Sequence, residues 1–183
     1  MSGARPLQVG VSELLRHPGS RKPFVTEELL DGLSTSTATV PEGSPVRVEL
    51  ILESLSTALT ATGTVAVTWE GTCRRCLEPV EGDAQASVKE IFERQPVEGE
   101  TYRLDGETAD LEPLVRDAVL LALPLAPLCR EDCPGPAPEL FPTGPAPGSE
   151  TRRDPRWAAL DELTFDPPGP GAGEESPADR SPG

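Results

Sequence analysis

"SPVRVELILESLSTALTATGTVAVTWEGTC", residues 44–73, carries the clearest pattern in the chain. Val46, Val48, Leu50 and Leu52 alternate with Arg47, Glu49, Ile51 and Glu53, and a period of two marks a strand with one buried face. Val65, Val67 and Trp69 then alternate with small or polar residues. Serine, threonine and one glycine separate the two runs, so the natural reading is an antiparallel pair.

Downstream, "AQASVKEIFER" (84–94) reads as a third strand, and "ETYRLDGET" (100–108) as a short fourth with a turn at Asp105-Gly106. Successive strands with short connections favour a mainly antiparallel sheet or a partly closed barrel. "DLEPLVRDAVLLALP" (110–124) changes period. Leu111, Leu114, Val115, Ala118, Val119 and Ala122 fall on one helical face, predicting one helix over about 110–123 that packs on the sheet. Asp110 is placed to cap it, Pro113 falls in the first turn where no intrahelical N–H is needed, and Pro124 stops it. Upstream, "PLQVGVSELLRHPGS" (6–20) reads as a short strand around Leu7–Val9 and a short helix capped by Ser12 and stopped by Pro18-Gly19. His17, the one histidine, sits at that stop with no Ser, Cys or acidic partner in a motif around it. It reads as a solvated helix-end residue. The expected class is α+β.

With 183 residues, 36% of them hydrophobic, the chain has room for one domain and extra segments. Twelve of its 22 prolines lie in the last 50 positions, which reads as tail rather than core. The expected organisation is a domain over 1–133, a Pro/Gly-rich linker over 134–153, a short amphipathic helix over 154–165 ("DPRWAALDELTF" within it) and a disordered tail over 166–183. The net charge of −15 is spread along the chain and is heaviest over 61–133. No basic stripe is present, and such a stripe is what phosphate contacts require. The charge therefore argues against autonomous RNA or DNA binding and for a partner with a basic surface. No run approaches the ~20 apolar residues of a membrane span, and the N-terminus lacks the long apolar core of a signal peptide. The expected location is the cytoplasm, where disulfides rarely persist.

Four cysteines remain. Cys73 and Cys76 form C-x2-C at the end of the Trp69 strand, and Cys129 and Cys133 form C-x3-C beyond the helix. Two such pairs suit a structural zinc site with four thiolate ligands, with Arg74, Arg75 and Arg130 helping to hold the thiolates deprotonated. The second pair has the longer spacing, and Pro134 stands where a glycine often follows a zinc knuckle. Other readings stay open: a redox C-x-x-C, which wants a βαβ context; a cysteine nucleophile, which wants a positioned base; and four unliganded cysteines left from a larger motif. No catalytic constellation supports an enzyme.

"GTCRRCLEPV" (71–80) together with "DLEPLVRDAVLLALPLAPLCREDCPG" (110–135) resembles the YceD-type family, the large-subunit ribosomal RNA accumulation proteins. The resemblance spans roughly residues 5–165 and takes in "VSELL", the strand run 46–69 and the late "DPRWAAL" segment, a form like that of actinobacterial members. It implies a small, largely antiparallel α+β protein without known enzymatic activity. It also implies a role in ribosome biogenesis: loss of relatives reduces large-subunit rRNA, and their genes commonly neighbour one for a large-subunit ribosomal protein. The implied partner is a ribosomal protein or an rRNA-processing factor. One departure bears on the metal. Cysteine-rich relatives continue with a "G-L-C-P-x-C-G" run, where this chain has Pro136, Ala137 and Leu140 in place of the leucine and both cysteines, and Phe141 in place of the last glycine. Any metal must then be held by Cys129 and Cys133 with Cys73 and Cys76.

Overall fold

Valine and leucine at every second position give residues 46–54 one apolar edge. The computed structural model, which describes residues 6–140 together with Arg156 and Leu163, makes that edge a wall of the core. The elements are β1 (Gln8–Gly10), α1 (Ser12–Arg16), β2 (Arg21–Glu28), β3 (Ala38–Thr39), β4 (Val46–Ser54), β5 (Ala58–Thr72), β6 (Pro79–Glu93), β7 (Tyr102–Asp105), β8 (Thr108–Asp110) and α2 (Glu112–Ala122). All lie in the unit Met1–Thr143. The strands form one curled sheet in the order β1-β8-β7-β6-β5-β4-β2, with β3 on β5.

β5 and β6 are its spine. They pair without interruption from Ala58↔Glu93 to Thr72↔Pro79, a ribbon of about 50 Å at ~3.4 Å per residue. Along the other edge of β5, β4 pairs with Leu59–Ala66 and β3 with Glu70–Gly71. The inward positions of β4 and β5, among them Val46, Val48, Leu50, Leu52, Leu59 and Val65, are buried. Leu111, Leu114, Val115 and Val119 at the start and on one face of α2 belong to the same core, as do Leu7, Val11 and Leu14 from the N-terminal segment. No helix among the described residues is long and apolar enough to cross a membrane.

Several expectations are corrected. The sheet is mixed rather than mainly antiparallel, because β7 runs parallel to β6 at Phe92↔Tyr102 and Glu93↔Arg103. A parallel neighbour normally needs a crossover of a dozen or more residues. Here β7 begins beside the end of β6 and continues past it, so residues 94–101 suffice. The stacked rings of Phe92 and Tyr102, 5.3 Å apart, mark the junction. The separator between the first two strands is only residues 55–57: the threonine-rich run after it already belongs to β5. β6 starts at Pro79, five residues before the expected strand. β2 was not expected at all. It carries Pro23 and, among the described residues, pairs only with β4, and an edge strand is where a sheet tolerates proline.

The helices shift by a residue or two. α2 begins at Glu112 with Pro113 in its first turn, and Asp110 ends β8 instead. Its Oδ1 still accepts the Glu112 N–H at 3.0 Å. Ser12 is the first residue of α1, not its cap; Val11 precedes it. Of the segments expected over 134–153, 154–165 and 166–183, only 134–140, Arg156 and Leu163 are among the described residues; the rest lie outside them.

Three glycines permit close approach, among them Gly71, where a Cβ would lie 2.6 Å from the Thr37 carbonyl oxygen. Gly82 sits beneath Trp69, whose ring would lie 3.0 Å from any Cβ there. Gly63 faces β4, and a Cβ on it would overlap the Glu49 carbonyl oxygen. Backbone cannot move aside as a side chain does. Gly63→Ala is therefore expected to destabilise by about 2–3 kcal/mol in urea unfolding, whereas Gly99→Ala, with open space around it but a left-handed backbone, loses only about 1 kcal/mol.

Candidate metal centre

Two segments distant in sequence bring the four cysteines together. The first is the tip of the β5–β6 hairpin. Thr72↔Pro79 is the last pair, so Cys73–Glu78 form the turn. There the Cys73 N–H donates to the Glu78 carbonyl at 2.8 Å and the Leu77 N–H to the Cys73 carbonyl at 2.9 Å, closing the C-x2-C into a tight loop. The second segment follows α2. The helix ends at Ala122, Leu123 follows it in extended backbone, and prolines then stiffen the exit. Thr37 Oγ1 donates to the Pro124 carbonyl at 2.9 Å, and the Arg74 N–H donates to the Pro127 carbonyl at 2.9 Å. Arg75 closes the clasp: its Nη1 donates to the carbonyls of Glu131 at 2.9 Å and Cys133 at 3.1 Å.

The four Sγ atoms all lie within 4.8 Å of one another. Cys73 and Cys133 are 3.8 Å apart, and Cys76 and Cys129 are 3.7 Å apart, so both close pairs cross between the segments. All four are free thiols. The edge of a tetrahedron with metal–sulfur bonds of about 2.3 Å is about 3.8 Å. The two close separations match that edge and the others stay within 4.8 Å, and a soft four-sulfur donor set suits a tetrahedral metal. The residues present thus fit a metal ion, and Ala137 and Leu140 are not needed to complete the set. Exposure is graded: Cys73 and Cys133 are buried, Cys76 is half-buried and Cys129 is exposed.

The electrostatics are uneven. Backbone N–H groups, chiefly those of Cys76 and then Cys129, pull the Cys73 thiol down to about 5. The Cys133 sulfur first, and local desolvation among the crowded sulfurs second, push the otherwise exposed Cys129 up to about 12. Crowded sulfurs without a cation thus favour one thiolate at Cys73 and disfavour ionisation at Cys76 and Cys129. The expected arginine contribution takes another form. Arg75 is directed to carbonyls, and Arg130 pairs with Asp132 at 3.3 Å. Backbone amides lower Cys73 instead. His17 is exposed at the end of α1 and is not a member of the cysteine group. The clamp by Arg75 was not read from the sequence, because no motif announces an arginine that binds carbonyls 56 and 58 residues away.

Residues 61–164 match the family model described as "Large ribosomal RNA subunit accumulation protein YceD". Among curated proteins, an uncharacterized protein of Mycobacterium tuberculosis is 36% identical over 172 residues, covering 87% of this chain and 82% of the relative. An uncharacterized protein of Mycobacterium bovis gives the same figures. One from Mycobacterium leprae is 31% identical over 173 residues, covering 86% and 77%. No solved structure matches the chain.

Leu77 follows Cys76 with φ of 66° and its side chain exposed. A left-handed backbone costs a leucine about 1–2 kcal/mol that glycine does not incur. Leu77→Gly is expected to raise the melting temperature while leaving metal binding unchanged. Arg75→Ala is expected to weaken metal affinity about 10–100-fold, read by competition with a chromophoric chelator.

Proposed function

The chain belongs to the YceD family of large ribosomal RNA subunit accumulation proteins, and from that membership we propose that it supports large-subunit rRNA processing or accumulation as a non-enzymatic factor in the cytoplasm. The family match carries the reading. The mode of action we infer is contact with a ribosomal protein or rRNA-processing factor that presents a basic surface. A net charge of −15 supports this, since a carboxylate-rich surface repels phosphate and attracts lysine and arginine. Direct rRNA binding is disfavoured on the same ground.

Within this reading the four cysteines hold a structural zinc ion. Zinc favours tetrahedral thiolate sites, and four protein ligands leave no open position for a substrate. Its contribution is a cross-link between the hairpin tip and the chain after α2. The ligands Cys73 and Cys133 are 60 residues apart, and closing a loop of that length restricts the unfolded chain by roughly 4 kcal/mol on the chain-entropy model.

A second reading, a zinc- or thiol-responsive regulator, draws on the exposure of Cys129. Exposure is what lets an oxidant reach a sulfur, and a bound metal would hold this one as a thiolate. The two readings part in cells: a regulator loses its response when Cys129 becomes serine, whereas a structural clasp loses stability and nothing else.

Three outcomes are expected. Depletion of the protein lowers mature large-subunit rRNA relative to small-subunit rRNA on a denaturing gel; an unchanged ratio overturns the assignment. Freshly purified protein carries one zinc per chain by mass spectrometry of the native protein. Cys73→Ser removes it and lowers the melting temperature by about 6 °C or more, as a loss of about 2 kcal/mol or more predicts for a domain of this size; full metal content in that variant sinks the four-cysteine site.

A further inference from the structure

α2 covers one part of the β6 face and leaves another open. Inward positions of β6 run from Phe92 and Val88 to Ala86, Ala84 and Gly82. The smaller side chains leave a hollow of about 290 Å³ between Gln85–Glu90 of β6 and Asp117–Ala122 of α2. A second hollow of about 490 Å³ adjoins it beside Gly99–Tyr102. The two share Glu90, Tyr102, Asp117 and Leu121 and so form one trough. Its floor is apolar, from Val88, Leu114 and Ala118, and Leu121 stands on its rim with 87% of its surface exposed.

The charge in the trough is one-sided. Glu90, Glu100 and Asp117 line it, and no lysine or arginine does among the described residues. Glu90 is the unusual member. It occupies an inward, half-buried position between Val88 and Phe92, where a strand normally places an apolar side chain. No hydrogen bond or ion pair engages its carboxylate among the described residues. Asp117 accepts the Tyr102 hydroxyl at 2.8 Å. Burial, then Asp117 and Glu90, push the Tyr102 phenol above its ordinary value, as expected when two carboxylates flank one ring. The Glu90 oxygens stay accessible, since no buried side-chain oxygen among the described residues lacks a partner, and they stand free to pair with an arriving cation.

We propose that this trough is the docking site for a lysine- and arginine-bearing segment of a partner protein, with a cation meeting Glu90 and Asp117 and an aliphatic side chain lying against Leu121 and Ala118. The inference rests on the reading of the chain as a factor that works through a basic protein partner. The same chemistry disfavours other occupants. Nucleic acid would bring phosphate to carboxylates. A second copy meeting this face about a two-fold axis would set carboxylates against carboxylates. The arrangement suits a long basic side chain, whose methylene stem packs on apolar surface while its head pairs with acid.

The test uses the full chain, uniformly 15N-labelled, titrated with a synthetic twelve-residue peptide of lysine, arginine and leucine. Amide shifts are expected to centre on Gln85–Glu90 and Asp117–Ala122. The double variant Glu90→Gln/Leu121→Ser is expected to weaken peptide binding at least about tenfold, while Glu42→Gln, an exposed carboxylate outside the trough, changes it less than about twofold. Unchanged melting of the double variant shows that the fold is intact; if it melts lower, the shift map of the unsubstituted chain decides. Shifts centred on β2 and β4, or a double variant that binds as tightly as the parent, overturn the proposal. So does self-association through this face, seen as concentration-dependent shifts without peptide, or protection of the same amides by an rRNA fragment but not by the peptide. Cells separate the two inferences. If depletion leaves large-subunit rRNA unchanged, the ribosomal reading falls and peptide mapping still judges the trough. If depletion lowers rRNA and the double variant restores it fully, the trough falls and the ribosomal reading stands; failure to restore supports both.

Discussion

The unbroken pairing of β5 with β6 is the constraint on which the molecule depends. Fifteen residues on each strand are in register, and everything of interest is placed by that ribbon. Its inward positions form the base of the core, its far end turns through Cys73–Glu78, and α2 rests on its β6 side. A one-residue slip of β6 along β5 would send Val88 and Phe92 to the solvent face together, away from Leu59 and Val65. Register and core burial therefore stabilise each other. Gly63 and Gly82 serve the same ribbon from inside, one by admitting the β4 backbone and the other by seating Trp69.

The cysteine clasp depends on the ribbon in turn. A hairpin tip is ordinarily the most mobile part of a long ribbon, since it lacks neighbours beyond the turn. Here the tip is tied to the chain after α2 by the Arg74 N–H on Pro127 and by Arg75 on two carbonyls, and four sulfurs converge at the same junction. The protein amides favour ionisation at Cys73, while crowding opposes it at Cys129. A divalent cation removes that conflict, because each thiolate then faces positive charge in place of its neighbours.

What could be read beforehand divides along physical lines. β4 and α2 were legible because each buries one face, and a buried face writes its period into the sequence: Val46 to Leu52 in twos, Leu111 to Val119 in threes and fours. β2 was not, because an exposed edge strand imposes no such period and Pro23 reads as a breaker. The start of β5 was hidden for a related reason, since Thr60, Thr62 and Thr64 face outward around small inward residues. The parallel turn into β7 left no mark because it depends on where β6 ends rather than on any residue type. Two pairs of cysteines were visible as pairs; that Cys73 lies beside Cys133 and Cys76 beside Cys129 follows only from the crossing of two segments. The departure at Ala137 and Leu140 cast doubt on the site, and the four sulfurs nonetheless converge without those positions.

The pairing of β1 with β8 joins Gln8 to Asp110, and this sets a timetable for the nascent chain. Among the described residues β1 pairs with β8 and no other strand. At about 5–20 residues per second of synthesis, it waits on the order of ten seconds for residues 108–110. The β5–β6 hairpin, complete only at Glu93, can close about one to three seconds before then, while the N-terminus and α2 join last and together. Contacts so far apart in sequence slow folding, and the waiting ends are those where a chaperone would find most to hold.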